Sequence, residues 1–164
     1  MKNLRGFTLI ELIITMAIAV VLLSIAVPSF TTMIRNNRVT TLANEFITTI
    51  NLARSEAIRR GTTITVSATS GNTAWHNGWS MTPAASSTVL RQTPALPSGN
   101  TLIASAATPS ISFDSLGRAS NLSQVASTQD ERTFTLCNSN TTTGREIKIL
   151  FTGRPTITTI TTCP

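Results

Sequence analysis

An α+β fold is predicted: one long N-terminal helix, with a membrane-spanning first half, packed on an antiparallel β-sheet head. Three observations predict it. Residues 7–27 form an apolar run of 21 residues whose single charge is Glu11. Apolar residues then recur at helical spacing up to Arg60. From Thr62 onward the period changes to alternation, in segments rich in Thr, Val and Ile.

In order, residues 1–6 read as a leader, 7–27 as the transmembrane part of the helix, 28–60 as its continuation outside the membrane and 61–164 as the head. As a helix the apolar run spans about 30 Å, the thickness of a bilayer core. Lys2 and Arg5 precede it and hold the leader on the cytoplasmic side. In an ordinary signal peptide a small-residue cleavage site follows the apolar run; here the small residue, Gly6, comes before it. Glu11 is the exception within the run. A carboxylate inside a membrane helix costs about 2.5–3.5 kcal/mol, which points to a partner and a purpose. Cleavage between Gly6 and Phe7 would place a new ammonium group one helical turn from Glu11. The ammonium of a neighbouring subunit could then neutralise the carboxylate during assembly.

The segment Gly6-Phe7-Thr8-Leu9-Ile10-Glu11 resembles the class III signal of type IV prepilins and of type II secretion pseudopilins. That resemblance implies cleavage after Gly6 by a prepilin peptidase and N-methylation of Phe7. It also implies a glutamate that acts in assembly, here Glu11.

Beyond the membrane run, Pro28 predicts a bend or local break in the helix. Ile34, Leu42, Phe46, Ile50, Ala53 and Ala57 form the apolar face expected to cover the sheet, with an irregular step near Val39. Arg35, Arg38, Arg54, Arg59 and Arg60 flank it, and Gly61 is the expected stop. Residues 62–68 read as a strand, with Asn77-Gly78 as the turn of a hairpin returning through Ser80 and Met81. Pro83, Pro94, Pro97 and Pro109 punctuate a loop-rich stretch holding short strands near residues 89–91 and 101–103. Residues 111–113 form a strand before a turn at 114–118. Three more strands are expected at 133–137, around Ile147 and Ile149, and at 156–162.

The chemistry of catalysis is sparse. A tetrahedral metal site needs three or four good ligands, and one His and two Cys give it no support; no Gly-rich phosphate loop occurs, and His76 lies in a turn between two tryptophans. The expectation is a non-enzyme without cofactor or metal. Cys137 and Cys163 flank two predicted strands, and export to an oxidising compartment would pair them; two buried thiols are the alternative. The net charge of +6 fits either a polyanion partner or plain solubility. Arg145, Lys148 and Arg154, with Arg118 as a fourth, are the candidates for phosphate contacts, two of them on Gly-led turns.

The Trp75…Gly78-Trp79 pair, the segment from Ile111 to Arg118 and the Arg145…Phe151…Gly153-Arg154 ending resemble the GspH/FimT-like group. That group contains minor pilins and the minor pseudopilin of type II secretion. The resemblance implies a single-pass inner-membrane protein with a periplasmic head, incorporated into a pilus alongside other pilins; a type II secretion pseudopilus is the alternative. For FimT-like members it further implies DNA binding for uptake, through a Gly-Arg-x-Arg motif; for FimU-like members it implies help in initiating and capping the pilus instead. Here Gly153-Arg154-Pro155-Thr156 lacks the second Arg.

Overall fold

The computed structural model describes residues 7–71, 73–86, 88–105, 108–120 and 131–163. The chain divides into two compact units, Met1–Ile34 and Arg35–Pro164, and helix α1 (Leu9–Arg60) contributes to both.

In the first unit α1 exposes mostly apolar side chains, interrupted by polar residues such as Glu11, Thr15 and Ser24. Leu9, Val20 and Leu23 are each more than half exposed. The helix is long and apolar enough to cross a membrane by length and composition. It runs unbroken through Pro28, where the sequence suggests a bend or break. The hydroxyls of Thr31 and Thr32 both donate to the Pro28 carbonyl, at 2.9 and 3.1 Å.

In the second unit α1 buries Val39, Leu42, Ala43, Phe46, Thr49, Ile50, Ala53 and Ala57, a stripe with steps of three and four. Ile34, expected on this face, is 65% exposed, whereas Val39 is 1% exposed. The reason is angular: five residues turn a helix by about 500°, which sets Ile34 about 140° away from Val39. The irregular step disappears when the stripe is started at Val39. The helix ends in a Schellman motif. Thr62 N–H donates to Ala57 O and Gly61 N–H to Ile58 O, with Gly61 at φ +63°.

The α+β class holds, but the β part is divided between two antiparallel sheets rather than one. The first has the order β3–β2–β1–β5, from β1 (Ile64–Ala68), β2 (Trp79–Pro83), β3 (Arg91–Thr93) and β5 (Ser110–Phe113). The second has the order β4–β6–β7–β8, from β4 (Asn100–Ala104), β6 (Glu131–Asn138), β7 (Gly144–Leu150) and β8 (Pro155–Ile160). Chain order thus alternates between the sheets at β3, β4, β5 and β6. Alternating side chains send Val66, Met81 and Ile111 from the first sheet, and Leu102, Phe134 and Ile147 from the second, into one core. Phe46 of α1 lies where the sheets meet. Its ring centroid is 5.6 Å from Trp75, 5.2 Å from Trp79 and 5.0 Å from Phe134.

Asn77-Gly78 is not a two-residue hairpin turn. The β1–β2 connection spans residues 69–78 and contains a 3-10 turn at Trp75–Asn77. That turn lets Trp75 and Trp79 both enter the core, at 0% and 1% exposure. Gly78, at φ +97°, passes so close to β3 that an added Cβ would lie 2.6 Å from the Thr93 carbonyl oxygen.

Candidate functional site

At the N-terminus the residues expected to act are Gly6, Phe7 and Glu11. Gly6 lies outside the described residues, with Lys2 and Arg5. Phe7 is 85% exposed, ahead of the first helical residue, Leu9. Glu11 has a partner that sequence reasoning did not name. The Thr8 N–H and hydroxyl both donate to Glu11 Oε2, at 3.0 and 3.1 Å, and the Glu11 N–H donates to Thr8 Oγ1 at 3.3 Å. This is a capping box, in which two otherwise orphaned backbone donors of the helix start are satisfied reciprocally. The signal was present as Thr8-x-x-Glu11 ahead of an apolar run. Glu11 can therefore close the helix end within its own chain as well as offer a negative charge to another.

Cys137 and Cys163 form a disulfide with a Cα–Cα distance of 5.8 Å. It joins the end of β6 to the chain leaving β8. Gly144 lies beneath it: a Cβ there would come within 2.9 Å of both sulfurs and within 2.6 Å of the Leu136 carbonyl oxygen. Sequence spacing gave no hint of that role for Gly144. Closing a loop with a separation of 26 residues stabilises by about 3–4 kcal/mol in the chain-entropy model. The Cys137→Ser/Cys163→Ser variant is therefore expected to lose about that much stability in chemical denaturation. A loss under about 1 kcal/mol would mean that β8 is held by its ladder alone.

The four basic residues do not form one patch. Arg145 and Lys148 are three apart on β7, an odd separation that sends their side chains to opposite faces. Arg145 faces α1: its Nη2 donates to Thr40 Oγ1 at 2.9 Å. Lys148 lies on the outer face, 2.8 Å from Glu131 and 3.7 Å from Glu146. The hydrogen bond and attraction from Glu131 raise its pKa. Its charge is thus already balanced by carboxylates.

The turns that carry Arg118 and Arg154 are in contact. Gly153, at φ +77°, has no room for a Cβ because the Gly117 carbonyl oxygen occupies that space. The Ala119 N–H donates to the Phe151 carbonyl at 2.9 Å. Arg54 of α1 clasps the pair from below, with its Nε 2.8 Å from Gly117 O. The sequence placed Arg54 only as a polar flank. In the first turn, burial pushes the Asp114 pKa up, but bonds from the Arg118 N–H and guanidinium and the Leu116 N–H outweigh it. The net shift is downward. Arg154 is exposed, and its side chain has no hydrogen bond or ion pair among the described residues.

No group of three His, Cys, Asp or Glu that could hold a metal occurs among the described residues. His76 sits in the 3-10 turn, and its carbonyl accepts the Leu96 N–H. Asp130, paired with Glu131 in the sequence, lies outside the described residues.

The family model described as type II transport protein GspH matches residues 42–153, and that of the prokaryotic N-terminal methylation motif matches residues 1–27. No curated protein matches the chain. Two crystal forms of the type IV minor pilin FimU of Pseudomonas aeruginosa are similar in structure. One gives a TM-score of 0.61 at 24% identity, covering 76% of this chain and 99% of that one. The other gives 0.63 at 23% identity, covering 79% and 97%. At this identity the likeness is one of fold.

Proposed function

The chain belongs to the GspH family, and from that premise we propose that it is a minor pilin of a type IV pilus, acting by assembly rather than catalysis. The observation that carries the reading is the methylation motif at residues 1–27, which joins Gly6-Phe7 and Glu11 to an apolar helix. A prepilin peptidase removes residues 1–6 and Phe7 is N-methylated. The apolar half of α1 then anchors the protein in the inner membrane before it moves into a filament with other pilins. The head stands in the periplasm, where the disulfide forms. Likeness of fold to the FimU minor pilin supports a pilus over a type II secretion pseudopilus, although the family is described by the type II protein. Mass spectrometry of the mature protein is expected to find Phe7 as a methylated first residue. A mature chain beginning anywhere else would remove the reading.

Nucleic-acid binding is a second reading, and Arg154 supports it: an exposed guanidinium without a partner among the described residues, on a turn that touches the Arg118 turn. Lys148, held between two carboxylates, and Arg145, turned toward α1, are not part of this smaller site. Arg118 gives its Nε to Asp114 at 2.9 Å but its side chain is 58% exposed, which leaves its Nη donors for a phosphate. Two phosphate contacts predict weak, sequence-blind binding to duplex DNA. The slope of log K against log salt should be about −2, at roughly −0.9 per contact. The Arg118→Gln/Arg154→Gln variant should abolish the binding, whereas Lys148→Gln should leave it nearly intact. Equal losses in the two variants would disprove the two-residue site.

A further inference from the structure

We infer that the cleft between α1 and the β7–β8 edge is a carboxylate-binding site, and that an acidic side chain of a neighbouring subunit fills it. The cleft has a volume of about 210 Å³ and is lined by Asn36, Val39, Thr143, Arg145 and Thr159. Among the described residues no acidic side chain lines it. Arg145 is half-buried there and lies more than 4 Å from any carboxylate among the described residues. Among the described residues its guanidinium bonds only to neutral oxygens, Thr40 Oγ1 at 2.9 Å and Gly144 O at 3.2 Å. A guanidinium carries five N–H donors, so most remain unused. Asn36 accepts the Thr143 hydroxyl on its Oδ1 at 3.0 Å, which leaves its Nδ2 as a donor. Thr159, opposite Arg145 in the β7–β8 ladder, adds a hydroxyl. The free groups are therefore donors around one positive charge.

That balance selects the ligand. One guanidinium with neutral donors matches a monoanion, and its planar fork fits the two oxygens of a carboxylate. A phosphate dianion would leave charge uncompensated in a half-buried site. The source follows from the surroundings. The cleft opens beside β8, an edge strand with no fully buried residue, which offers an unpaired backbone to another chain. A second copy of this chain is a poor donor, because its net charge is +6. A different subunit with an acidic surface fits. Naming a neighbouring subunit rests on the pilin reading; the site itself does not.

The experiment uses the full chain in detergent, labelled with ¹⁵N on Arg and Asn side chains, titrated with sodium acetate at constant ionic strength. Saturable shifts of the Arg145 Nε–H and Asn36 Nδ2–H signals are expected, with a Kd in the millimolar range. Arg145→Gln should abolish them, Asn36→Leu should weaken binding severalfold, and Arg91→Gln, on the other sheet, should change nothing. Near-ultraviolet signals of the two tryptophans report whether each variant is folded. Absence of saturation, or an unchanged response in folded Arg145→Gln, would overturn the site. Inorganic phosphate binding more than tenfold tighter than acetate would overturn the carboxylate assignment. In assembled filaments, a photo-crosslinker at position 159 should capture a peptide of another subunit containing Asp or Glu. Capture of a second copy, or of nothing while the protein is incorporated, would overturn the assigned source. Failure of the protein to enter filaments at all would instead count against the pilin reading.

Discussion

Truncation of Phe46 to Ala is expected to be the most damaging single change to the head, lowering its stability by about 3–5 kcal/mol. The ring is fully buried and meets Trp75 and Trp79 edge-on and Phe134 at a tilt. Trp75 and Phe134 also meet each other edge-on, at 5.2 Å. Trp79 belongs to the first sheet and Phe134 to the second, so Phe46 is the wedge by which one helix holds both. Its removal loses both the transfer energy of the ring and the dispersion contacts of three large neighbours around the void. Those rings are rigid and cannot collapse into the space without leaving their own contacts. Thermal unfolding of the disulfide-bonded protein should show the midpoint falling by roughly 10–20 °C, at about 2–8 °C per kcal/mol for domains of this general size. By contrast, Ile58→Ala should cost little, because that side chain is half-exposed. A loss below about 1 kcal/mol for Phe46→Ala would mean that the sheets hold together without the wedge.

Replacing Glu11 with Gln should leave the helix start intact and remove the protein from filaments. Glu11 has two separable roles available to it. Its carboxylate accepts bonds from the Thr8 N–H and hydroxyl, and it carries a charge that another chain's terminal ammonium could meet. Glutamine can close a capping box as glutamate does, but brings no charge. Glu11→Ala removes both roles. Membrane insertion should survive in both variants, since each makes the apolar run less costly to insert. If charge is what assembly needs, sheared filaments should lack the Gln and Ala variants alike. If the cap is what matters, Gln should assemble normally and Ala should not. Normal incorporation of the Gln variant would show that the carboxylate charge has no part in assembly.

Much of this was legible in the residues alone, because the relevant physics is local. A run of twenty-one residues whose single charge is Glu11 needs no tertiary context to be read as a membrane helix, and Gly6 before it marks where cleavage is expected. Gly61 is required by the left-handed backbone of the helix stop, and alternation in β6 and β7 follows from pleating. The sequence expectation for Ile34 fails because a stripe started one residue out of phase is rotated by about 100° around the helix. The pairing of strands in two sheets was not legible. Short strands of similar composition do not announce their partners, and β1 joins β5 across more than forty residues of chain. The same holds for the basic residues, which are close in sequence and divided in space. Pleating sends Arg145 and Lys148 to opposite faces, two carboxylates neutralise one of them, and α1 draws the other into a cleft. Meanwhile Gly117 and Gly153, distant in the chain, bring Arg118 and Arg154 onto touching turns, because neither turn has a side chain to hold the other away. The sequence by itself determined the apolar N-terminal helix, the methylation motif and the α+β class; tertiary structure decided which charges are free to bind, since a charge's availability depends on neighbours that only folding supplies.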